Sequence, residues 1–169
     1  MPHHMLEPGP GTVTDVFSRD LPPVLTVDPG DTVQVRSLNA SGHLTRQNYP
    51  GDRPPELLAS RRGHCLTGPV EVRGAEPGDV LAVRLLALTP DDWGFTVAGG
   101  RDTPLNRRLG LDPGAGGGPA WLLWEIDAGR EVATSQLGHT VATGPFLGVM
   151  GVAWDEPGEH STVLPGPGR

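Results

Sequence analysis

Residues 63–86 read GHCLTGPVEVRGAEPGDVLAVRLL. Two strand-like runs, residues 70–73 and 80–88, flank the corner Ala75-Glu76-Pro77-Gly78-Asp79. Proline presets φ near −65° and glycine supplies a positive φ, so the chain turns sharply and leaves as a new strand. The same unit stands earlier in the chain: Val24-Leu25-Thr26-Val27, the corner Asp28-Pro29-Gly30-Asp31, then residues 32–38. The copies DPGDTVQVR and EPGDVLAVR agree over acid-Pro-Gly-Asp and at the final Val-Arg. In the first copy Val33 and Val35 share one face, and Thr32, Gln34 and Arg36 the other, the period of a half-buried strand. The repeat is too short and isolated for a solenoid.

Outward from this unit, strand signals dominate. Residues 120–127 (AWLLWEID), 131–134 and 146–154 are each bounded by Gly, Pro or Asp. The run 120–127 is apolar on both faces, which predicts a central strand. Residues 50–62 form a proline-rich connection with one helical turn expected at 56–60, and residues 105–118 a second loop ending in a glycine run. No segment carries a helical stripe of ten residues. Short strands between Gly/Pro corners predict an all-β fold, a sandwich or barrel with long Gly/Pro-rich loops. Residues 1–10 read as a disordered tail and residues 11–169 as one β domain.

The chain has 169 residues, enough for a real core, and four tryptophans to fill it. Gly 25 and Pro 19 would suggest disorder, but the apolar residues keep their period. A net charge of −7 argues against nucleic acid or an anionic membrane surface as partner. No apolar run is long enough to span a bilayer, and the N-terminus lacks a signal-peptide core. The single cysteine, Cys65, fits a reducing compartment, so a cytoplasmic location is expected. All 13 basic residues are arginine. Without lysine, this chain alone cannot run Schiff-base chemistry, build a P-loop, or form a Ser-Ser-Lys or Glu-Lys-Cys amidase site.

Four pieces in order, GHCLTGPV, GAEPGDVL, PFLGVMGVA and PGEHST, resemble the acetamidase/formamidase family of amide hydrolases, whose pattern reads G-H-P-L-T-G-P-[IV], G-A-E-P-G-D-x-L, P-F-x-G-x-M-G-V-A and P-G-E-H-S-T. Cys65 departs from it, standing where the family has proline. The resemblance implies a jelly-roll-like β half and hydrolysis of a short linear amide. It also implies that residues 11–169 are incomplete relative to the family, which continues with a G-G-N-x-D turn. Its second half holds a G-D-x-H-x-x-Q-G-D-G-E stretch, implied to supply metal and catalytic groups, with no counterpart here.

His64 stands at a strand entrance among small residues, where a polar side chain can project from rigid backbone. It is a candidate metal ligand or carbonyl polariser; the competing reading is a histidine bonded to a turn carbonyl. Glu159 and His160, in Pro157-Gly158-Glu159-His160-Ser161-Thr162, suit a carboxylate acting beside a histidine, or an exposed turn. Ser161 lacks the G-x-S-x-G elbow of a hydrolase nucleophile. Cys65 reads as a small buried thiol, His43 as part of a turn, and His139 as a loop histidine.

With no H-x-H, H-E-x-x-H or C-x-x-C, a metal site would need donors from distant strands. The expected enzyme hydrolyses carbon–nitrogen bonds of linear amides with water activated by a divalent metal, zinc foremost. His64 and Glu159 are the catalytic candidates, Thr67 and His160 bind substrate, and His64 and His160 are metal ligands. The remaining groups would come from a complementing C-terminal polypeptide or a homo-oligomer. The alternative is a truncated, non-catalytic homologue serving as a β scaffold. A cupredoxin-type module, prompted by the Pro-Gly-Asp corner, fails because no copper-ligand loop follows Cys65.

Overall fold

The computed structural model describes residues 2–58, 62–115 and 118–163. It divides into two compact units: Met1–Leu44, Pro55–Leu85 and Leu147–Arg169 form the first, and Thr45–Pro54 with Leu86–Phe146 the second. Both are built on strands, as the sequence predicts, and among the described residues no sheet closes into a barrel.

The first unit contains β1 (His3–Leu6), β2 (Val13–Thr14), β3 (Val16–Phe17), β4 (Leu25–Val27), β5 (Thr32–Val35), β6 (Leu66–Thr67), β7 (Val70–Val72) and, after the second unit's strands, β12 (His160–Ser161). They pair two by two. β1 runs parallel to β5, β4 parallel to β7, β2 antiparallel to β6, and β12 antiparallel to β3. Leu6, Val16 and Val27 supply its buried apolar side chains. Both Pro-Gly-Asp corners take one form: Asp31 N–H bonds Asp28 O (3.1 Å) and Asp79 N–H bonds Glu76 O (3.0 Å). In each, the closing aspartate also caps the first residue's N–H, and the glycine holds a positive φ, 91° at Gly30 and 101° at Gly78.

The second unit is a four-stranded antiparallel sheet in the order β11 (Thr140–Ala142), β10 (Val132–Ser135), β9 (Ala120–Asp127), β8 (Trp93–Ala98). β9 is interior to the sheet, as its two apolar faces predict. The helix α1 (Pro104–Leu109) is capped by Thr103 at its start and by Gly110 in the left-handed conformation at its end. Among the described residues no helix is long and apolar enough to cross a membrane.

Several expectations need correction. Residues 3–6, placed in a disordered tail, form β1. Its extended backbone completes the ladder of β5, and His4 Nε2 reaches Asp31 Oδ2 at 2.8 Å. Residues 80–88 and 146–154, expected as strands, have no ladder partner among the described residues and stay irregular. Their pattern suits a sheet, but a strand exists only with a neighbour to hydrogen-bond. Val80 is 93% exposed and Phe146 83%. Glu56, expected to open a helical turn, instead forms an isolated bridge with His43; residues 59 and 60 of that turn lie outside the described residues.

Candidate functional site

The pairing of β12 with β3 sets the register of the site. His160 lies opposite Phe17 and Ser161 opposite Val16, so Thr162 comes level with Asp15. Thr162 is buried, and its hydroxyl ties three segments together. It accepts from His64 N–H (2.6 Å) and lies 3.2 Å from His64 O and 3.4 Å from Asp15 O. This approach requires glycine at 63: a Cβ there would stand 2.5 Å from Asp15 O and collide with Thr162 Oγ1.

Asp15, only 3% exposed, accepts from Arg62 N–H at 2.5 Å and from the Arg62 guanidinium at 3.3 Å. The other arm of that guanidinium bonds Glu159, 97 residues further on. The hydrogen bond to Glu159, followed by the charge of Asp15, holds Arg62 above its ordinary value, so it stays a cation. The Glu159 carboxylate is thus oriented by a charge-assisted bond of the kind that fixes geometry well. Beside it, His160 stacks on Trp154, with centroids 4.8 Å apart and planes within 5°, and His160 Nε2 lies 3.1 Å from Glu156 O.

The structure therefore joins Glu159 to the backbone around His64 through Arg62 and Thr162, and keeps His160 adjacent. The His64 side chain is exposed. Thr67 stands apart: its hydroxyl donates to Arg36 O at 3.3 Å, on the β2–β6 ladder. A metal held by His64 or His160 would need further donors from other polypeptide. Among the described residues no three His, Cys, Asp or Glu side chains converge on one point, and His160 is engaged by its stack and by Glu156 O.

Sequence reading missed Asp15, Arg62 and Thr162. A charged residue inside the strand-like run Val13-Thr14-Asp15-Val16 was the one available signal for Asp15, since a buried carboxylate needs a partner. His43, read as part of a turn, is buried with a defined set of bonds. Asn39 Oδ1 accepts from Ser41 and His43 N–H, which turns Asn39 Nδ2 toward His43 Nδ1 at 3.4 Å. That assigns a proton to His43 Nε2, which faces Glu56 Oε1 at 3.1 Å. Cys65 is half-buried. Desolvation first, then the charges of Asp15 and Glu56, push its thiol above the ordinary value, the opposite of what activates a nucleophile. A cleft of about 450 Å³ lies within the second unit, lined by Arg46, Gln47, Leu123, Glu125 and Ser135 among others. None of His64, Thr67, Glu159 or His160 lines it.

Comparison with known proteins gives a consistent result. The model of the acetamidase/formamidase family matches residues 8–159. A formamidase of Methylophilus methylotrophus is 34% identical over 88 residues, covering 50% of this chain and 21% of that protein. An acetamidase of Mycolicibacterium smegmatis is 31% identical over 88 residues, covering 46% and 21%. The crystal structure of a recombinant predicted acetamidase/formamidase from Thermoanaerobacter tengcongensis superposes with a TM-score of 0.71 at 21% identity, over 94% of this chain and 48% of that one. The alignments thus span about a fifth of these curated relatives and about half of the solved chain.

Proposed function

The chain belongs to the acetamidase/formamidase family, and on that premise we propose that it carries part of the active site of an amide hydrolase acting on short linear amides. The observation that supports this reading is the convergence of Asp15, Arg62 and Glu159 on one ion-paired cluster beside His64 and His160. Hydrolysis converts an amide and water to a carboxylate and ammonia. The attacking water must lose a proton and the leaving nitrogen must gain one. In this reading Glu159 carries that proton, with Arg62 as its positioning residue. His64, exposed on rigid backbone, is the group to polarise the carbonyl, and His160 lines the approach. The remaining wall of the site, and the remaining ligands of any zinc that the site employs, would come from polypeptide beyond these residues or from a second copy.

The test is ammonia release from formamide and acetamide by the chain co-purified with the C-terminal half of a full-length family member, with and without added zinc. Release above a heat-killed control is expected. None under any condition would transfer the chain to the second reading, a non-catalytic β scaffold. That reading draws on one observation: Arg62 and the Trp154 stack engage Glu159 and His160 structurally.

A further inference from the structure

The two Pro-Gly-Asp corners share their hydrogen bonds and glycine conformation, yet their outgoing strands differ. After the first corner, β5 receives β1: Thr32 N–H donates to Pro2 O (3.2 Å) and Arg36 N–H to Leu6 O (3.0 Å), with His3 opposite Thr32 and Leu6 opposite Val35. After the second corner, residues 80–85 are aligned with 32–37, so Val80 stands for Thr32 and Arg84 for Arg36. This run has no ladder partner among the described residues, and Val80, Val83 and Leu85 are exposed. One of its faces, Leu81-Val83-Leu85, is apolar, and the other, Val80-Ala82, is apolar up to Arg84, whereas β5 has one apolar face, Val33-Val35, and one polar face, Thr32-Gln34. Such a pattern belongs to a strand covered on both sides, and an exposed apolar run with unpaired N–H and C=O groups is a template for strand addition.

We propose that residues 80–84 are a docking edge for one extended strand from polypeptide outside these 169 residues, paired parallel as β1 pairs with β5. The first corner specifies its chemistry. The incoming strand offers carbonyls to the N–H groups of Val80 and Arg84. It also places an imidazole or cation opposite Leu81, where it meets Asp79 as His4 meets Asp31. A second copy of this chain is the poorer candidate, because its β1 is already held by its own β5. The similarly folded solved chain is about twice the matched length, 48% of it being covered, which makes additional polypeptide the natural source. The source of the strand rests on the proposed function; the docking edge itself does not.

The probe is the strand that the first corner already selects, a capped peptide of residues 2–7, PHHMLE, added to the labelled chain. Amide hydrogen exchange at Val80, Ala82 and Arg84 should slow about tenfold when free peptide reaches ten times its Kd. Fusing the peptide to the chain through a Gly/Ser linker, which raises its effective concentration, should give the same protection. Arg84→Pro removes one ladder donor from a run with no ladder of its own. It should abolish the protection while leaving the signals of Trp154 and His160 unchanged. Unaltered exchange at residues 80–84 with both free and tethered peptide would overturn the proposal. So would protection that rises with chain concentration alone, which would make the occupant a second copy. None of these readouts involves amide hydrolysis, so a chain that releases no ammonia leaves the proposal standing.

Discussion

Replacing Gly63 by alanine is the sharpest perturbation of the site's framework. The added methyl would stand 2.5 Å from Asp15 O and 3.3 Å from Thr162 Cβ, and would overlap Thr162 Oγ1. Both neighbours are fixed: Asp15 O belongs to backbone entering β3, and Thr162 is buried next to β12. Overpacking of this kind costs about 1–3 kcal/mol. Pushing the Thr162 hydroxyl aside also forfeits its bond to His64 N–H (2.6 Å), worth about 1 kcal/mol. The sum, about 2–4 kcal/mol, corresponds to a loss of roughly 4–16 °C in Tm for a chain of this size. Thermal unfolding followed by tryptophan fluorescence measures it. Gly63→Ala combined with Thr162→Ala should recover part of the loss, because the clash with Oγ1 disappears while that with Asp15 O remains. A Gly63→Ala chain that melts within a degree of the parent would show that Thr162 does not lock the three segments together.

The remaining predictions concern titrating groups. The hydrogen bond from His4, and next the N–H of Asp28, hold the Asp31 carboxyl below its ordinary value. A lowered folded pKa gives stability that is complete above the ordinary carboxylate value and lost as pH falls through the folded one. Amide signals of β1 should therefore lose protection below about pH 4, and Asp31→Asn should remove that acid step; β1 signals indifferent to acid would contradict the pairing. Burial and the charges of Asp15 and Glu56 raise the Cys65 thiol, so alkylation by iodoacetamide should have its pH midpoint above that of free cysteine. A midpoint below it would reopen Cys65 as a nucleophile.

Much of the fold was legible because its signals are local. The Pro-Gly-Asp corners, β4, β5, β7 and the interior position of β9 follow from turn chemistry and period. The failures share one cause: strand formation depends on a neighbour that periodicity cannot reveal. Residues 3–6 look featureless and become a strand because β5 accepts them. Residues 80–88 and 146–154 look ideal and form none among the described residues, because nothing there pairs with them. The site divides similarly. Glu159, His160 and His64 stood out by residue type and motif. The partners of Asp15 and Arg62, which orient Glu159, were not legible because they lie across 47 and 97 residues of chain.

Glu159→Gln asks whether Glu159 is the group that takes the proton from water. The amide keeps the shape and can still accept from Arg62, but it cannot take a proton from water. Ammonia release from acetamide by the chain complemented with the C-terminal half of a family member should fall at least about a hundredfold, with Tm and acetamide binding at His64 and His160, followed by NMR, close to those of the parent. A Glu159→Gln chain that releases ammonia at the parent's rate would remove Glu159 as the proton carrier.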